Sequence, residues 1–349
     1  MFLLFKVFWW MNKLIISLSF LFFTNVIAAQ KISLQDTKIL QKKEDSLQTL
    51  SLKIIQGRTA GDRFAADSEF TKMFVRALKI KNSFHYSFDS LLTISKLSPP
   101  DSSFKIFTWQ MVINDNVIRQ HGAIQMKTAD GSLKLFPLID KSDVTLNMSD
   151  TVGNNFGWIG AVYYKIVETT AGGKNYYTLL GYDENNIRSN KKIIEVLSFE
   201  NDQPIFGGSY FNFSDNTSLK QNPGRLILEY KKNASPRLVY DKEQNMIIYE
   251  HLVSETSENK KKYTYIGDGD YEGLKWKDGK WVHVDKVFTQ TTKEGDEPIP
   301  NPIRDANGNI DFSRLKNNGL AADEDDKTEE KVKSVKTKTT PTKVKTKKK

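Results

Sequence analysis

Apolar residues recur every three or four positions through KISLQDTKILQKKEDSLQTLSLKII and again through DRFAADSEFTKMFVRALKI, the spacing of one helical face. In the second segment Phe64, Phe70, Phe74 and Leu78 form the stripe, with Ala65, Val75 and Ala77 beside it. Asp62 stands where an N-cap is expected. Residues 30–100 therefore read as a helical N-terminal region, closed by the double proline in SKLSPPD.

Beyond that point the period changes. FKIFTWQMVI, NVIRQHGAIQM, LKLFPLI, WIGAVYYKIVE, NYYTLLGY, KIIEVLSF, RLILEY, RLVYD, MIIYEHL and KYTYI are short runs of β-branched and aromatic residues. NDN, TADGS, TTAGGKN, YDENN and NPG separate them with turn chemistry. The spacing holds no regular 40-residue repeat, which argues against a propeller. The pattern predicts a mainly β domain over residues 101–293 on an N-terminal helical region, an α+β chain whose sheets form an antiparallel meander, a sandwich or an irregular barrel. One stretch stays open, because Ser189 before KKIIEVLSF fits a helix cap as well as a strand start. From Glu294 the prolines of EPIPNPIRDANGNI predict an extended arm over residues 294–319. Residues 320–349 carry almost no large apolar group and read as a disordered charged tail, lysine-rich from residue 331.

Charge changes the picture only in where it sits. Formal net charge is +9, and residues 331–349 hold nine lysines with no arginine and no acid. The tail thus accounts for the whole excess, and residues 1–330 are balanced. That removes the motive for nucleic-acid binding by the folded part. The tail lysines alternate with Thr and Val rather than aromatics, so base stacking is not expected there either. They read as a solvated tail.

The other end sets the compartment. Lys13, the apolar run Leu14–Phe23 and the small residues around Ala28 and Ala29 compose a signal peptide over residues 1–29, with Met1 or Met11 as the start. The expected destination is the periplasm, the cell envelope or the outside medium. After cleavage no later run is long enough to span a bilayer. The chain has no cysteine, so it has no disulfides and no thiol chemistry.

Candidate chemistry is sparse. GDGDYEG sets Asp268, Asp270 and Glu272 at alternate positions, as in the first half of a calcium loop. The twelfth position is Gly279 instead of a bidentate glutamate, so a turn is the preferred reading and calcium the lesser one. Asp278-Gly279 then predicts a two-residue hairpin that pairs Lys277 with Lys280 and sets Trp276 opposite Trp281, with Leu274 and His283 on the same face. The indoles form either a hydrophobic clamp, which is preferred, or an exposed binding platform for glycan. His85, His121, His251 and His283 lack local zinc spacing, and HExxH, GxSxG and Walker A patterns are absent. Glu168, Asp183, Glu195, Glu229 and Glu250 lie on or beside strands, and no pair among them stands out.

PPDSSFKIFTWQ, HGAIQ, WIGAVYYKIVE with YYTLLGYD, KKIIEVLSF and GDGDYEGLKWKDGKWVHV together resemble a family of uncharacterised exported bacterial proteins. The likeness runs over about residues 60–290. It implies an envelope setting and carries no reaction, ligand or functional residue. The expectation is a non-enzymatic periplasmic or envelope binding or assembly module, its partner an envelope protein or glycan. The alternative is an envelope hydrolase of glycan or peptide working through paired carboxylates.

Overall fold

Two N-caps start the molecule. Ser33 Oγ accepts the N–H of Asp36 (3.0 Å) and opens α1, Leu34–Gln56. Thr59 opens α2, Ala60–Leu78, through a capping box in which its hydroxyl takes the Asp62 N–H (3.1 Å) and the Asp62 carboxylate takes the Thr59 N–H (3.1 Å). Asp62, expected to be the cap, is thus the acidic partner three residues inside. The computed structural model describes residues 31–288, apart from 115, 214–221, 257 and 259. The expected leader, arm and tail lie outside the described residues.

Three antiparallel sheets follow. The first runs β1 (Ser95–Leu97), β2 (Phe104–Asn114), β3 (Val117–Met126) and β4 (Lys134–Ile139), in that order. The second contains β5 (Gly153–Asn154), β6 (Val162–Ala171), β7 (Lys174–Asp183), β8 (Ser189–Glu200) and β9 (Gln203–Phe206), ordered β5-β9-β8-β7-β6. β11 (Arg225–Lys231) pairs with β8 on the same flank as β9, at the other end of the strand. The third runs β10 (Phe211–Asn212), β15 (Lys280–Val284), β14 (Tyr265–Lys277), β13 (Met246–Ser254) and β12 (Leu238–Asp241). Among the described strands only the short β10–β15 pairing is parallel, besides an isolated parallel bridge between Asp140 and Trp158. None of the sheets closes into a barrel. The Ser189 ambiguity resolves as strand, and β1 shows that the chain turns to sheet before the double proline.

Strand alternation assigns each side chain to one of three cores in series. Phe107, Trp109 and Met111 of β2 pack on Leu40, Leu47, Phe70 and Phe74 of the helices. Trp109 donates its indole N–H to buried Asp67 (2.8 Å), which fixes α2 on the sheet. Phe64, placed in the stripe by its spacing, is half exposed instead. From the opposite face of β2, Phe104 and Ile106 meet Tyr177, Leu179 and Ile193 of the second sheet. The far face of that sheet gives Leu180, Ile194 and Val196 to Phe211, Ile247, Leu274 and Trp281 of the third.

One charged group is sealed between layers. Arg225 and Glu195 are both fully buried, with Nε 3.0 Å from Oε2. Tyr163 donates its hydroxyl to the same carboxylate and accepts the Trp158 indole N–H (2.7 Å). Arg225 Nη1 also donates to the carbonyls of Met148 and Thr151 (2.8 Å for the latter), which ties that loop to the start of β11.

Candidate functional site

The GDGDYEG stretch is not a turn. It lies inside β14, and the register with β13 jumps from Glu250↔Tyr271 to Leu252↔Gly267. Residues 268–270 therefore bulge opposite His251, with Gly269 at φ +87°, a backbone region that suits glycine. The Asp and Gly residues that suggest a turn instead supply the bulge, which aims Asp268 at β13.

Its consequence is a polar chain across the third sheet. Asp268 Oδ2 is 2.7 Å from His251 Nδ1, and His251 Nε2 is 3.8 Å from Glu272 Oε1. Glu272 Oε2 accepts from Tyr249 (2.6 Å) and from buried His283 Nε2 (2.8 Å). Burial pushes the Asp268 carboxyl up, but the bonds from His251 and the Asp270 N–H outweigh it and hold it below its ordinary value. Burial likewise raises Glu272, and its His283 and Tyr249 donors outweigh that and leave it lowered. Both are settled anions.

This chain borders a cleft of about 650 Å³. The loop Leu146–Ser149 forms one end, β11 a long wall through Ile227 and Glu229, and β13 another through Tyr249–Leu252. Lys262 and Tyr265 stand at the rim, the ammonium 4.1 Å from the centre of the Tyr265 ring. The Arg225 anchor described above holds the loop end in place.

The expected carboxylates divide among several places. Glu229 and Glu250 share the cleft, yet each is engaged: Glu229 accepts from Ser189 (2.6 Å), and Glu250 accepts the Arg237 N–H (2.9 Å). Glu195 is sealed with Arg225, and Glu168 accepts the Asp101 N–H (3.0 Å). Asp183 lines a smaller cavity of about 280 Å³ with Arg119, Asp140, Asp143 and Lys191. There Asp183 accepts from Gln120 and the Asn185 N–H (2.9 Å each), with Lys191 3.9 Å away. Burial raises its pKa despite Lys191, and the negative charge of Asp140 adds to the rise.

Asp268, Asp270 and Glu272 do not converge. Asp270 is exposed and sits 3.9 Å from Lys286, while Asp268 and Glu272 lie on opposite ring nitrogens of His251, with Glu272 bonded more closely to His283. Among the described residues, no group of three or more His, Asp or Glu side chains is placed to hold a metal ion. His121 pairs with Asp67 (3.2 Å) under the helices, away from His251 and His283.

The hairpin register is Trp276↔Trp281 and Lys277↔Lys280, turning at Asp278 and Gly279 with φ of +50° and +80°. The indoles lie 5.3 Å apart and face inward. Trp281 is fully buried and donates to Thr178 of β7 (2.8 Å); Trp276 donates to the Thr170 carbonyl (3.1 Å). The pair fastens the third sheet to the second rather than presenting a platform. Lys262, Lys191 and the Leu146–Ser149 loop left no signal in the sequence, because the cleft joins segments about 80 residues apart that only pairing brings together. No protein-family model matches the chain, and no curated protein and no solved structure is significantly similar to it.

Proposed function

We propose that this protein is an exported, non-enzymatic binding or assembly module of the periplasm or cell envelope, and that the 650 Å³ cleft between β11 and β13 takes its partner. One observation carries the reading. Every carboxylate lining the cleft already holds a structural hydrogen bond, and Glu272 is depressed rather than raised. A hydrolase of glycan would need there a protonated carboxyl to act as general acid. The cleft instead offers fixed polar groups and half-buried aliphatic side chains, which is the make-up of a recognition site. The leader-like residues 1–29 and the resemblance to exported proteins support the compartment.

Photo-crosslinking tests this reading. A benzophenone side chain at Leu146, in the cleft, should trap an envelope component in the native envelope, and one at exposed Leu34 in α1 should not. Equal labelling from both positions would remove the cleft from the proposal. A second reading rests on Asp183, whose raised pKa in the smaller cavity suits an acid catalyst. If that envelope hydrolase is the true function, purified protein should cleave cell-wall glycan or peptide, and Asp183→Asn should abolish the cleavage.

A further inference from the structure

Resting on the binding reading, we infer that the partner is an extended peptide that adds a strand to the open edge of β11. The ladder with β8 decides which backbone groups of β11 point outward. Lys232 donates its N–H to the Arg188 carbonyl, so 230, 228 and 226 share the bonded rows with β8. Arg225, Ile227 and Glu229 then direct N–H and C=O away from β8. The Arg225 N–H is bonded to the Ser149 carbonyl (2.9 Å), so the loop fills the first outward row. The next two rows, at Ile227 and Glu229, have no backbone partner among the described residues, and both residues line the cleft.

Another edge of the fold is closed by the chain itself. β4 carries Pro137 and is covered by the segment that follows, with Ile139 N–H on Asn155 C=O (2.8 Å) and Trp158 N–H on Ile139 C=O (3.2 Å). β11 has the same beginning, at Ser149, and then a cavity where the covering strand would continue. Two open rows accommodate about four residues of extended chain.

The walls state the chemistry of those residues. Leu146 stands fully exposed at one end, and Leu228 and Leu252 are half-buried along the sides, so side chains flanking the added backbone meet aliphatic surface. Lys262 is the cleft cation for which no carboxylate lies in ion-pair range among the described residues. Lys191 faces Asp183, and His251 faces Asp268. The occupant is therefore a peptide with apolar side chains and one carboxylate directed to Lys262.

The probe is a displayed library of random nonapeptides, selected on the full chain, with the enriched peptide then synthesised. It should be apolar with an acidic residue. Its binding should weaken by about tenfold in Ile227→Pro, which removes one outward donor. Lys262→Glu should weaken it by about threefold at low salt, and by less at high salt. Because Ile227→Pro risks misfolding, amide exchange of the unaltered protein supplies an independent readout. The Ile227 and Glu229 amides should exchange rapidly alone and become protected by the peptide, while Leu226 and Leu228 stay protected throughout. Failure to enrich any peptide, or binding that leaves those two amides unprotected, would overturn the inference. A glycan trapped at Leu146 would overturn it too while leaving the binding reading intact; loss of the cleft crosslink would sink that reading itself.

Discussion

At Glu272 two donors, the Tyr249 hydroxyl and His283 Nε2, meet one carboxylate oxygen, and the acid is held below its ordinary range. The sign of the pH dependence follows. A carboxyl depressed in the folded state stabilises above its unfolded pKa of about 4.3, and that stability is lost as pH falls through the lower folded value. Glu272→Gln should cost about 2 kcal/mol near neutrality and flatten this part of the acid limb of a melting-temperature profile. Arg225→Ala should cost more, about 3–5 kcal/mol by denaturant melts, because it strands the fully buried Glu195 and releases the Met148–Thr151 loop. The Arg225–Glu195 pairing was not legible in the chain, although Glu195 stands among the strand carboxylates, since a buried ion pair is defined by what lies across a core, not by its neighbours in sequence. The three carboxylates at 268, 270 and 272 were legible as a pattern, but their directions were not. Alternation alone could not show a bulge that turns Asp268 to His251 while Asp270 reaches toward Lys286. Added calcium should consequently leave the melting temperature unchanged; a rise abolished by Asp270→Ala would restore the metal reading.

Elements were read best where local chemistry and tertiary demand agree. The Asp278-Gly279 dipeptide fixes its own turn, so the hairpin register and the facing indoles followed from about ten residues. Removing the inner one should be severe. Trp281→Ala should cost about 4 kcal/mol and leave the Thr178 hydroxyl without its donor, whereas half-buried Trp276→Ala should cost distinctly less. If the two variants melt alike, the pair does not fasten the sheets as described. The short strands β1, β5, β9 and β10 escaped because two to four residues are too few to show a period, and only their partners make them strands. The cleft escaped for the same reason, being an arrangement between β11, β13 and a loop rather than a property of any one of them.

The described residues stack helices on three sheets, and an α+β, β-rich class could be read from the change of period near residue 100. The order of the layers could not, because each strand's two faces look alike until a neighbour claims them. The N-terminal helices cover Phe107, Trp109 and Met111, so deleting residues 31–78 should yield an insoluble or aggregating protein. A soluble, monomeric product with a cooperative melt would mean that the first sheet needs no cover.

After Phe206 the chain leaves the flank of β8, gives Phe211 and Asn212 to the third sheet, and returns to the same flank at Arg225. That excursion works as a stitch through two layers of cloth. Tension applied to the third sheet is delivered to the middle of β8, at the junction where β9 gives way to β11. Peeling one layer from the other thus requires the seam to tear first, and the two sheets should yield under load as one piece.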